Sequence, residues 1–109
     1  MSRRDLISRG EVWDASIPGV GSHPVVVVTR DAAIPLMTSV VCVLVTTTYR
    51  GHVAEVELGS DEGLGHDSVA NCDNVFTLPK TVLKRRKGKL GQAKQAELGR
   101  ALTIALGLD

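Results

Sequence analysis

The sequence predicts a mainly β fold, a small antiparallel barrel closed by one C-terminal helix, on three observations. Two β-branched runs, over residues 24–29 and 40–48, are too short for ordinary helices and too apolar for loops, so they read as buried strands. Shorter runs that alternate or carry β-branched residues recur between clusters of Gly, Pro, Asn and Asp. Only over 92–106 does the apolar period become helical. At 109 residues, 43% hydrophobic and 23% charged, the chain can bury one modest core, and a single domain over 1–109 is expected.

Residues 9–15 form the expected first strand, with Val12 on one face and Trp13 on the other. Residues 16–22 read as a loop, because Pro18, Gly19 and Gly21 punctuate them. The buried strand over 24–29 follows, and Pro24 suits its first position, where no ladder donor is needed. Residues 30–39, with Pro35 inside, are a connection with a short irregular turn. The second buried strand covers 40–48, and Tyr49, Arg50 and Gly51 turn it. Residues 52–58 alternate with Glu55 and Glu57 outward, the pattern of a half-exposed antiparallel strand. Three glycines make 59–67 a loop. A strand over 68–76 is ended by Thr77, Leu78 and Pro79, and a last basic strand runs over 82–89. On the helix, Leu98, Ala101, Leu102, Ala105 and Leu106 share one face, and Gly107 fits a C-terminal cap.

Composition narrows the function. Trp13, Tyr49 and Phe76 are the only aromatics, which argues against an aromatic base-stacking sheet. Trp13 and Phe76 are expected in the core. Residues 51–79 hold six acids and no Lys or Arg, whereas 80–94 hold seven basic residues and no acid. A basic block of that kind suits a polyanion. Cys42 and Cys72 sit in apolar strands and read as free, buried thiols. Neither the Met1-Ser2-Arg3-Arg4-Asp5 opening nor any later run has the length of a signal segment or membrane span. A cytoplasmic protein without a membrane partner is expected. His23, His52, His66 and the cysteines lack zinc-type spacing, so no metal or cofactor is expected.

Five motifs in order resemble a known family. They are Arg9-Gly10-Glu11-Val12-Trp13, His23-Pro24-Val25-Val26-Val27-Val28-Thr29, Val45-Thr46-Thr47-Thr48, Val69-Ala70-Asn71-Cys72-Asp73-Asn74-Val75 and the Leu/Gly-rich final helix. Over about residues 8 to 108 the chain is similar to the MazF/PemK toxins of type II toxin–antitoxin systems. The resemblance implies an SH3-like barrel, a homodimer and a metal-independent, sequence-selective endoribonuclease. Such an enzyme cuts RNA (mRNA or tRNA) to 2′,3′-cyclic phosphate and 5′-hydroxyl ends and is blocked by a cognate antitoxin. Two other readings share the fold: a non-enzymatic CcdB-like gyrase poison, and a member that binds RNA or an antitoxin without cutting.

The resemblance also implies the site. In the family's MazF branch, an arginine directly before the proline of the first buried strand acts with the first threonine of the Thr-Thr pair. Those positions are His23 and Thr46 here. In the PemK-like branch an Arg-Cys-Asp-Gln stretch supplies an aspartate and an arginine, and Asn71-Cys72-Asp73-Asn74 keeps only the aspartate. Histidine can give or take a proton near neutrality, where arginine chiefly supplies charge and hydrogen bonds. His23 is therefore expected as general acid or base, Thr46 as a phosphate donor, and Asp73 either as the base or as the group orienting His23. Thr47, Arg30, Arg50, Lys84, Arg85 and Arg86 are candidate RNA contacts. The short 16–22 loop suggests an open groove able to admit structured RNA.

Overall fold

The computed structural model describes residues 6–108; residues 1–5, the opening expected to carry no signal segment, lie outside them. Six strands form one antiparallel sheet: β1 (Glu11–Ile17), β2 (Gly21–Val27), β3 (Ser39–Thr46), β4 (Glu55–Leu58), β5 (Ser68–Pro79) and β6 (Leu83–Lys89). Their order across the sheet is β4-β5-β3-β2-β1-β6, and the helix α1 (Gln92–Ala105) follows the last strand. The sheet curls into a half-barrel, so the mainly β fold with a closing helix is the one the sequence predicts.

Both faces of the sheet are buried, which explains the unbroken valine runs. On one face Val12, Val26, Val43, Val45, Val56 and Ala70 pack with Leu98 and Ala101 of the helix. On the other face, Trp13, Val25, Val27, Cys42, Leu78 and Leu83 pack together, with Phe76 against them. Val12 and Trp13 thus point to opposite cores, as period-two alternation requires.

Several boundaries differ from expectation. The 16–22 loop is mostly strand: Ser16 pairs with Ser22 and Ile17 with Gly21, so only Pro18, Gly19 and Val20 turn the chain. Pro24 therefore lies within β2 opposite Asp14 rather than at its start. Its missing donor has a consequence on the other side, since the β2–β3 ladder stops at Val25–Leu44. β3 ends at Thr46 rather than 48, where the Thr48 amide donates to Thr46 Oγ1 at 3.2 Å and bends the chain. β4 begins only at Glu55, because the Glu55 carboxylate accepts from the Arg50 and His52 amides and holds the preceding segment in a loop. β5 runs on through Pro79. Beyond Asn71 it has no β4 neighbour, so a proline without a donor is tolerated there. On the helix, Leu98 and Ala101 are buried, but Leu106 is the C-cap and 54% exposed.

Two contacts close the structure. The 3₁₀ turn Ser60–Glu62 lays its backbone on β6, where Gly63 faces Lys87 and Gly88 faces Glu62; a methyl group at either glycine would overlap the opposite backbone. At the β1–β6 seam the buried Glu11 carboxylate accepts from the Ser8 amide at 2.7 Å, Trp13 Nε1 at 3.1 Å and Arg86 Nε at 2.7 Å. Among the described residues no helix is long and apolar enough to cross a membrane.

Candidate active site

The register brings the two central candidates together. Val25–Leu44, Val26–Val43 and Val27–Cys42 are paired, and the same register carried two residues further sets His23 level with Thr46. His23 has the strand parity of Val25 and Val27, and Thr46 that of Val40 and Cys42, so both side chains lie on the face of the sheet that carries Trp13, Val25 and Cys42. His23 is opposite Ala15, Ala15 opposite Leu83, Thr46 opposite Val69, and Val69 opposite Glu57. One rung thus crosses the sheet: Leu83, Ala15, His23, Thr46, Val69, Glu57.

Pro24 is the reason this rung is open at its centre. With no amide hydrogen at 24, the β2–β3 ladder lapses next to His23, leaving the two strand ends side by side without pairing. Both side chains are half-buried. Thr46 Oγ1 already accepts from the Thr48 amide, which leaves its hydroxyl hydrogen to donate outward. His23 makes no side-chain hydrogen bond among the described residues.

The other candidates divide. Lys84 and Arg85 are exposed at the start of β6, next to the Leu83 end of the rung. Thr47 is exposed beside Thr46, and Arg50 is exposed in the following loop with its amide held by Glu55. Arg86 is tied to Glu11 and Arg30 lies past the far end of β2, so neither sits at the rung. Asp73 occupies an irregular stretch: Leu44 pairs with Asn71 and Val43 with Val75, so Cys72, Asp73 and Asn74 are extra residues on β5. It is exposed, its amide donating to Asn71 Oδ1 at 3.1 Å. It lies two strands from His23, across β3, and no hydrogen bond joins the two side chains among the described residues.

Both cysteines are free and buried. Burial pushes the Cys42 thiol up to about 12. It pushes Cys72 up to about 11, with Asp73 raising it further and Arg9 opposing. Neither thiol is suited to nucleophilic work. Among the described residues no three of His, Cys, Asp and Glu gather where one ion could be held.

Sequence reasoning did not single out Glu57 or Tyr49. They line a cavity of about 530 Å³ beside Thr47 and Val69. Only the outward parity of Glu57 hinted at it, and the register needed to place it opposite Val69 is a long-range property.

A family model described as PemK-like, MazF-like toxin of type II toxin–antitoxin system matches residues 8–106. The chain is 42% identical over 100 residues to the probable endoribonuclease MazF2 of Mycobacterium tuberculosis, covering 91% of this chain and 97% of the relative. Among solved structures, Mycobacterium tuberculosis toxin MazF-mt6 superposes with a TM-score of 0.84 at 33% identity, over 91% of this chain and 98% of that one. An endoribonuclease in complex with its cognate antitoxin, from a mycobacterial species, superposes with a TM-score of 0.87 at 32% identity, over 94% and 97%.

Proposed function

Because this chain belongs to the PemK-like, MazF-like toxin family of type II toxin–antitoxin systems, we propose that its His23–Thr46 rung is the active site of an endoribonuclease toxin. The observation that carries this is the register beside the unpaired stretch at Pro24, which sets a proton-transfer group level with a hydroxyl donor on one face of the sheet.

The proposed reaction uses no metal. The ribose 2′-oxygen attacks the adjacent phosphorus, the bond from phosphorus to the 5′-oxygen breaks, and the products are a 2′,3′-cyclic phosphate and a 5′-hydroxyl. One proton leaves the 2′-hydroxyl and one reaches the 5′-oxygen, so the step balances without water or an ion. His23 carries one of these transfers, and the Thr46 hydroxyl donates to the phosphate oxygen as its charge grows. Asp73, off the rung, acts on the substrate rather than on His23 and is the proposed second proton-transfer group. Lys84 and Arg85 hold flanking phosphates, with Thr47 and Arg50 contacting the chain at the other strand end. A cognate antitoxin is the proposed inhibitor, a homodimer the proposed assembly, and the cytoplasm the proposed place of action.

The test is incubation of the purified protein with a mixed RNA pool in EDTA, with chemical mapping of the ends. Discrete cuts carrying cyclic phosphate are expected, abolished in His23→Ala and slowed roughly 100-fold in Thr46→Ala, with both variants folded. Full cleavage by His23→Ala would remove the rung from the mechanism.

A further inference from the structure

The cavity beside Thr47 lies at the Glu57 end of the rung and differs in character from the β6 end. Leu58 and Val69, both nearly fully buried, line it with apolar surface. Tyr49, 63% exposed, offers a ring to it, and the Glu57 and Asp67 carboxylates offer acceptors. Its lysine, Lys94, has its charge engaged by Glu97 at 3.4 Å. Phosphate is repelled from such a wall, whereas a planar group with hydrogen-bond donors fits it.

The register supplies the link to the reaction. Thr46 pairs with Val69 and Val69 with Glu57, so the Glu57 side chain shares the face of His23 and Thr46, about 10 Å from Thr46 across two strand spacings. Val69 between them is buried, so a nucleotide whose phosphate lies between His23 and Thr46 would carry its base past Thr47, at the strand ends, into the cavity that Glu57 lines. That carboxylate is exposed and makes no hydrogen bond or ion pair among the described residues.

We infer that this cavity is a base-selecting subsite, with Glu57 as the specificity-determining residue for a guanine flanking the cut. The inference rests on the ribonuclease reading of the His23–Thr46 rung. Guanine is the base whose pairing edge places two donors, N1–H and N2–H, side by side, matching the two oxygens of one carboxylate. Adenine and cytosine offer one donor beside an acceptor, and uracil sets its single donor between two acceptors. Tyr49 stacks on the extruded base, the usual way single-stranded RNA is read.

The experiment is cleavage of an RNA pool randomised around the cut, followed by sequencing of the fragment ends. Wild type is expected to favour guanine over uracil at one flanking nucleotide. Glu57→Gln, exposed and conservative, should reduce that preference roughly 10- to 100-fold while sites with other bases there are cut at similar rates. Replacing the guanine by inosine, which lacks the N2 amino group, should reproduce roughly a tenfold loss in wild type and little in Glu57→Gln. An unchanged preference in Glu57→Gln, or a wild-type preference for uracil at both flanking positions, overturns the inference while leaving the ribonuclease reading intact. If wild type cuts no RNA, that reading fails. The subsite then stands only if guanine-containing hexamers bind wild type more tightly than uracil-containing ones by fluorescence anisotropy and Glu57→Gln removes the difference; equal binding overturns it.

Discussion

Cys42 shows how much one buried atom decides at the scale of a residue. Its thiol is fully buried, and burial alone moves it from the ordinary 9.0 to about 12. At pH 8 the native thiolate is then roughly a thousandfold scarcer than in an unfolded chain, so alkylation by iodoacetamide should require unfolding. Rapid labelling of Cys42 in the native protein would contradict the buried assignment. The sign of the linked stability follows from the raised value. The native state holds the proton more tightly, so the contribution is complete below about pH 9 and is lost as the pH rises toward 12. Urea midpoints measured from pH 8 to 11 should fall for wild type and fall less steeply for Cys42→Ala, which has no proton to lose.

At the scale of the element, the contact between the Ser60–Glu62 turn and β6 joins the two edges of the sheet. Gly63 has φ of +85° and, like Gly88, a backbone carbonyl where a side chain would begin. Gly63→Ala combines a left-handed backbone with a steric overlap, and a loss of about 3 kcal/mol is expected in urea denaturation. Gly65→Ala, three residues before Ser68 in the same loop with open space around it, should change stability by less than about 0.5 kcal/mol. Equal effects would mean that the closure contributes nothing. The sequence showed three glycines here but not which of them touches another strand, since that depends on pairing across the fold. The same limit explains the other differences. The valine runs were readable as strands because both faces of the sheet are buried. The hairpin at Pro18–Val20 and the continuation of β5 through Pro79 were not, because whether a proline interrupts a strand depends on which neighbour needs its donor. His23 and Thr46 were readable as residue types, but their standing level on one face is a consequence of register. The separation of Asp73 from them follows from a bulge that no local signal marks.

Across the whole molecule, a net charge of +1 conceals an ordered polarity. The acid-only segment 51–79 builds β4, its following turn and β5 at one edge, and the basic segment builds β6 at the other. The open rung lies between them. Part of the basic strand is already neutralised: Arg86 by Glu11 at 2.7 Å, and Lys87 by Asp14 at 3.8 Å. The exposed charge left at the rung is that of Lys84 and Arg85. A single-stranded polyanion should therefore be gripped from the β6 side, with its bases directed toward the acidic edge, where phosphate is unwelcome. This predicts a particular salt response. For RNA binding to a His23→Ala background, replacing Lys84 and Arg85 by Ala should lessen the slope of log K against log salt by about 1.4, since each released phosphate contact contributes about 0.7 on a single strand. Lys87→Ala should change the slope much less, because its charge is spent on Asp14. Equal slopes for the double variant and its parent would mean that the substrate approaches along another path, and the polarity of the sheet would then serve stability rather than binding.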